Sequence, residues 1–391
     1  MLTEAQTLKD QLIAWRRTLH QWPELGFDLP RTTAQVSDAL AAMGVEYRRG
    51  VGKSGIVATL GDGNGPVIGV RADMDALPIH EQTGLPFASQ TAGKMHACGH
   101  DAHTAMLLGV AALLNRHQVP GQVRLLFQPS EEGGYDQGIS GAPRMIEDGA
   151  LNGVDAVIAL HVSGVIPTGQ IEISSGWMQA AVDNFRGFVL GRGGHGAYPH
   201  HTVDPIWLTS QVLAALYAIP SRRIGPTLPC VVTVGKVQGG AADNVIPDVV
   251  ELLGTLRSFD AGVREQLISD VERAFSLTRS FGGDYRLEIE RGYPPLYNDP
   301  AAAAWLHDVA TAELGAEHVG PAEASMGAED FAFMAQRAPG AMFKLGVQRP
   351  DGPPQYLHTA DFNLDEDALP IGTAILAETA LRFVRGELAQ L

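Results

Sequence analysis

The chain has 391 residues, of which 45% are hydrophobic and 18% charged, so it has the length for about two cores and the composition of a folded protein. Its formal net charge of −16 argues against a nucleic-acid backbone as partner, which requires clustered Lys and Arg, and no run approaches the ~20 apolar residues of a membrane span. Only Cys98 and Cys230 are present, far apart, so a disulfide scaffold is excluded and two free thiols are expected.

The N-terminal stretch MLTEAQTLKDQLIAWRRTLHQWPEL reads as an amphipathic helix without the basic start, apolar centre and small-residue cleavage site of a signal peptide. A soluble, cytoplasmic protein is expected. Gly50–Gly55, GVGKSG, has the look of a phosphate loop, but the Walker spacing needs a glycine where Tyr47 stands. Three short apolar runs then end in chemistry: Val67–Val70 before Asp73 and Asp75, Val123–Phe127 before Glu131 and Glu132, and Val157–Leu160 before His161. Such runs, separated by helical patterns such as Ala102–Arg116, predict a largely parallel sheet covered by helices. Sheets of this kind bind ligands at the carboxyl ends of their strands. HACGHD precedes that helix and sets Cys98, His100 and Asp101 in the loop that opens it.

From about Met178 to Glu290 the pattern changes: NFRGFVLG reads as a strand, PIWLTSQVLAALYAI as a helix, and VVTVGKVQGG and DVVELLGTLRSFD as half-exposed strands, together a separate α+β unit. Within it GRGGHG, residues 191–196, has dinucleotide-loop spacing, but Pro199 and Pro205 interrupt the helix that should follow. RGYPPLYNDP, residues 291–300, marks the return to the first domain. Beyond it a helical pattern, the apolar run Ala341–Leu345 and His358 in LHTADF repeat the theme of a strand followed by a ligand.

His96, Cys98, His100 and His103 gather a thiol and imidazoles, a donor set suited to zinc, manganese, cobalt or nickel. The same window equally describes a buried free thiol beside helix-capping histidines. Glu131 and Glu132 offer one carboxylate for a metal and another for a proton, although paired glutamates more often mark a solvated loop. His161 or His358 alone is more often structural. Their shared placement after apolar runs favours a metal site. Cys98 as a nucleophile with His100 or His103 would also hydrolyse amides, but it leaves Glu132, His161 and His358 unexplained.

Nine segments in order, GVRADMDALPI, MHACGHDAHTAMLLG, FQPSEEGG, ALHV, GRGGHGAYPH, DNVIPD, GTLRSFD, SMGAEDFAF and LHTADF, resemble the two-metal peptidases of family M20. Within that family they are similar to the amidohydrolase branch: hippurate hydrolases, auxin-conjugate hydrolases and N-acyl amino acid amidohydrolases. The resemblance implies that Cys98, His100, Glu132, His161 and His358 hold two divalent ions (Mn, Zn, Co or Ni), with Glu131 as general base. It implies that Asp75 orients a ligand imidazole and that His195 stabilises the oxyanion, across a dimer interface in several relatives. Asn244 and Arg257 match partners of the substrate carboxylate, and Gly327 lies where relatives bring backbone close to the bound amide.

The organisation expected is a discontinuous α/β catalytic domain over residues 1–178 and 295–391, with an inserted α+β lid and dimerisation domain over 179–294. A hinge would carry His195 and Arg257 towards the metals. The reaction implied is attack by activated water on the acyl carbonyl of an N-acyl amino acid or small peptide-like substrate, in a homodimer or dimer-based oligomer. A carboxypeptidase or dipeptidase of the same superfamily is the alternative. A noncatalytic descendant would have lost Glu131 or a ligand, and this sequence retains them all. Trp177, Met178, Tyr198, Phe331 and Met342 could shape an acyl pocket, with core packing the default reading.

Overall fold

The computed structural model describes residues 1–133 and 139–388. Gly134, the last residue of the FQPSEEGG segment, and the final three residues of the second catalytic segment lie outside them. The chain divides into two compact units, one of residues 1–178, 297–323 and 330–391, the other of residues 179–296 and 324–329. The short 324–329 stretch, which the sequence reading assigns to the catalytic domain, clusters with the inserted unit. It is tied there by the Gln179↔Ser325 bridge and by the Ala180 N–H, which donates to the Gly327 carbonyl at 2.9 Å.

The first unit is built on an eight-stranded sheet. From edge to edge its strands are Glu46–Val51, Gly55–Leu60, Gln122–Gln128, Val67–Asp73, Ala156–Pro167, Gly340–Gln348, Ile171–Glu172 and Val319–Gly320. The four central strands run parallel, as the continuous apolar runs predict, because both faces are covered. GVGKSG forms a strand–turn–strand hairpin with Lys53 at φ 76° and no helix after it, which removes the phosphate-loop reading. The helix His100–Leu114 is buried on all sides except at Ala112, and it packs against the helices Lys9–Gln21 and Leu369–Val384. It begins two residues earlier than the apolar pattern suggests, so His100 and Asp101 lie in its first turn.

The strand at His161 also differs from expectation. It continues to Pro167, with His161 inside it. Pairing with Val67–Asp73 stops at Arg71↔Ala159, whereas pairing with Gly340–Gln348 runs on to Pro167. One edge of the strand is therefore released from the sheet beside His161.

The second unit is a four-stranded antiparallel sheet, in the order Cys230–Gly239, Val249–Ser258, Ala181–Leu190 and Asp284–Arg291. Buried and exposed residues alternate along Ala181–Leu190, as on a sheet with one covered face. Helices Pro205–Arg222 and Ala261–Ser276 supply the cover through Leu208, Val212, Leu267, Val271 and Phe275. Asp204 and Asp260 cap their N-termini. GRGGHG leads into the two-residue strand Gly194–His195 rather than a helix, so the dinucleotide reading is also removed. Among the described residues no helix is long and apolar enough to cross a membrane, and both cysteines are free.

Candidate metal centre

Glu132 and His161 are delivered by the first unit's parallel strands, Cys98 and His100 by the start of the helix His100–Leu114, and His358 by the loop after Gly340–Gln348. Gly99 makes the turn before the helix that starts at His100. It has φ 87°, and a Cβ there would lie 2.4 Å from Val162 Cγ2, so the position takes only glycine. This turn leaves Cys98 and His100 facing His161. Ser130, at φ 52°, turns the chain after Gln122–Gln128 and presents Glu131 and Glu132, while His358 itself sits at φ 63°. Two non-glycine residues in the left-handed region at one site store local strain that the surroundings must hold.

The ligand atoms form two groups of three, Cys98–His100–His161 and Cys98–Glu132–His358, each within 4.8 Å and sharing the Cys98 sulfur. Cys98 Sγ is 3.4 Å from His161 Nε2 and 3.3 Å from His358 Nε2, and Glu132 Oε1 is 3.1 Å from His358 Nε2. Sulfur and nitrogen donors bound at about 2.3 and 2.0 Å to one tetrahedral ion would stand roughly 3.5 Å apart, so the spacing suits coordination. The donor atoms are also prepared for it. His100 Nδ1 donates to the Asp75 carbonyl at 2.8 Å, and its Nε2 is buried with no hydrogen-bond partner. His161 Nδ1 donates to the Val162 carbonyl at 2.8 Å, which leaves its Nε2 lone pair towards Cys98. Glu132 Oε1, though close to His358, makes no aligned hydrogen bond. These residues fit two divalent ions.

The electrostatics agree. Burial alone would lower the His100 pKa, but the Asp73 and Asp75 carboxylates raise it to about 10, the mark of a nest that holds positive charge. Burial, and then Glu132 and Glu131, push the Cys98 thiol well above its ordinary 9.0. A nucleophilic cysteine needs the opposite shift, so the thiol route has no support in this environment. Burial lowers His161, keeping it neutral. Glu131 is buried, and its carboxylate lies within 4.8 Å of the ligand atoms of His100 and Glu132.

Asp75 acts at two points. Its carbonyl, rather than its carboxylate, orients His100; the carboxylate accepts the main-chain N–H groups of Glu131 and Glu132. His96 is buried with neither nitrogen partnered, and no metal-ligand group among the described residues includes it. Asp73, His100 and His103 also lie together, but Asp73 is already paired with Arg71 at 2.6 Å and with His103 at 2.6 Å. The sequence reading misses Arg71, Gln128 and Asp330, which are buried and joined by hydrogen bonds of 2.8–2.9 Å beneath the strand ends. A charged residue inside the apolar run GVRAD was the available signal.

In the second unit His195 and Asn244 come together, because His195 pairs with Val245 and the Gly196 N–H donates to the Asn244 carbonyl at 2.8 Å. Ala197 N–H donates to His195 Nδ1 at 3.1 Å, so the neutral ring carries its proton on the exposed Nε2. Arg257 is half-buried on Val249–Ser258 and donates to the Leu256 carbonyl and to Thr255 Oγ1. Gly327 is exposed. Of the acyl-pocket candidates, Met178, Phe331 and Met342 are core residues, whereas Trp177 stacks edge-on against Tyr297 and Tyr198 is exposed.

Residues 69–382 match the profile of peptidase family M20/M25/M40. The N-acetyl-L-cysteine deacetylase of Bacillus subtilis is 43% identical over 97% of this chain and 89% of its own. Thermostable carboxypeptidase 1 of Saccharolobus solfataricus is 38% identical over 97% of both chains. A solved dinuclear metal-binding peptidase of the M20 family from Bacillus subtilis superposes with a TM-score of 0.84 at 35% identity, covering 97% of this chain and 99% of that one.

Proposed function

Because the chain belongs to peptidase family M20/M25/M40 and is a hydrolase of its amidohydrolase branch, we propose that it cleaves the amide bond of N-acyl amino acids of the acetyl or benzoyl type. The observation that carries this reading is the pair of ligand groups that share the Cys98 sulfur beside the buried Glu131. Cys98, His100, Glu132, His161 and His358 would hold two divalent ions (Mn, Zn, Co or Ni), which when bound polarise the acyl carbonyl and acidify a water.

Glu131, left off the ions, takes the proton of the attacking water and passes it to the leaving nitrogen, so that a carboxylic acid and a free amino acid depart. Asp75 fixes the turn that carries Glu131. From the inserted unit, His195 serves as the oxyanion donor, a role worth roughly 3 kcal/mol, and its Nε2 proton suits it. Asn244 and Arg257 receive the substrate carboxylate, and Gly327 lets backbone approach the amide. The protein works in the cytoplasm as a homodimer or dimer-based oligomer, with free thiols in keeping with that compartment.

The thermostable carboxypeptidase among the relatives supports a second reading, in which the acyl part carries a free α-amino group. A panel of N-acetyl and N-benzoyl amino acids and matching dipeptides, offered to chelator-treated protein before and after Mn, Zn, Co or Ni, separates the two. Metal-restored turnover of the acyl series, lost in Glu131→Gln with metal retained, is the expected result. Turnover that ignores chelation, or is confined to dipeptides, sinks the proposal.

A further inference from the structure

Both nitrogens of His103 are engaged. Nδ1 lies 2.6 Å from Asp73 Oδ1, and Nε2 accepts the main-chain N–H of Val162 at 3.0 Å. A ring that accepts at Nε2 carries its proton on Nδ1 and keeps no lone pair for a cation. Behind it, Asp73 Oδ2 is held by Arg71 Nη1 at 2.6 Å, and Arg71 Nη2 reaches Asp330 Oδ1 at 2.8 Å, all with fully buried side chains. In front of it, both polar groups of Val162 are committed: the N–H to His103 and the carbonyl to His161 Nδ1 at 2.8 Å. This happens where the strand has lost its neighbour, just past Arg71↔Ala159.

We propose that His103 is a positioning residue of the metal centre: it transmits the fixed position of the Asp73–Arg71 pair to the peptide units flanking Val162, which aim Nε2 of His161. The inference rests on the two-ion reading above. It distinguishes two imidazoles of one short motif, His100 with a bare Nε2 and His103 with none.

The test titrates metal-free protein with Co(II), read by visible absorption and by calorimetry, in the wild type, His103→Leu and His103→Gln. Two ions bind the wild type. In His103→Leu one ion should bind about 10–100-fold more weakly, the usual cost of losing support behind a ligand, with the other unchanged. His103→Gln can still offer an oxygen to the Val162 N–H, and its loss should stay below about tenfold. Unchanged affinity for both ions in His103→Leu overturns the proposal, because a side chain that only packs would change the apo protein's stability and nothing else. Equal losses in the two variants overturn it too, since that is the behaviour of a direct ligand. If His103→Leu does not fold, His103→Asn, too short to reach the Val162 N–H, takes its place with the same expected 10–100-fold loss at one ion, and unchanged affinity there overturns the proposal. Fewer than two ions on the wild type would instead overturn the proposed centre itself.

Discussion

The carboxylate of Asp75 accepts the main-chain N–H of Glu131 at 2.9 Å, and its other oxygen faces the N–H of Glu132 at 3.3 Å. One buried side chain thus sets the direction of the turn that presents both Glu131, the proposed base, and Glu132, a proposed ligand, against the cost of Ser130 at φ 52°. Asp75→Asn keeps one acceptor but turns an amide N–H₂ towards a main-chain donor. The turnover number should fall by about 10–100-fold while bound metal stays near the wild-type amount. Steady-state kinetics with metal analysis checks this, and an unchanged turnover number would mean that the turn holds without Asp75.

The parallel core of the sheet is legible because Val67–Val70, Val123–Phe127 and Val157–Leu160 are continuous apolar runs, and burial on both faces demands such runs. Glu132 and His161 stand out as candidate ligands for a related reason, since each comes after such a run, whereas Cys98 and His100 stand out only through the grouping of thiol and imidazoles in HACGHD. Strand length is not legible. The Ala156–Pro167 strand outlasts its apolar run because Gly340–Gln348 pairs along it, and that partner is far away in sequence. Arg71 has its partner Asp330 259 residues on, so burial of the pair has no local sign. The helix Ala261–Ser276 and the strand Asp284–Arg291 do carry local signs, Asp260 as a cap and the alternating DYRLEIER.

Metal binding should strengthen as pH rises. Without an ion, His100 holds its proton up to about pH 10 and the Cys98 thiol is pushed above 9.0, so at neutral pH both must release protons when a cation binds. The apparent affinity should gain about tenfold per pH unit for each proton displaced. Competition against a chromogenic chelator between about pH 6 and pH 8 measures the slope, and a flat profile would contradict the protonated resting state.

Gly99→Ala should damage the centre more than a typical surface substitution. The residue must adopt φ 87°, and its new Cβ meets Val162 Cγ2 at 2.4 Å, next to the peptide that aims His161. Strain of the left-handed backbone alone costs about 1–2 kcal/mol, and the contact adds to it. Unfolding midpoints in urea, together with metal content, should both fall. A wild-type value for either would show that the turn relaxes away from Val162.

The last prediction concerns a buried network that holds the start of the His100–Leu114 helix. Arg16 Nε donates to Asp101 Oδ2 at 2.7 Å, and His20 Nδ1 lies 2.8 Å from the same oxygen while its Nε2 is 3.2 Å from Glu81. Arg16→Met leaves Asp101 buried with one cationic partner fewer, a change that should cost about 3–5 kcal/mol. His20 adds a pH dependence. Burial works to lower its pKa, but Asp101 and Glu81 outweigh burial and Arg16, and the folded value stands above 6.5. A raised folded pKa means that the folded state binds the proton more tightly, so this stability is complete below about pH 6.5 and is lost as pH climbs through the folded value. The gap in unfolding free energy between metal-free wild type and His20→Gln should therefore be larger near pH 5.5 than near pH 9, to be read from urea titrations at about those two values. A gap that widens towards alkaline pH would mean that His20 is buried neutral, with the Arg16–Asp101 pair holding the helix start by itself.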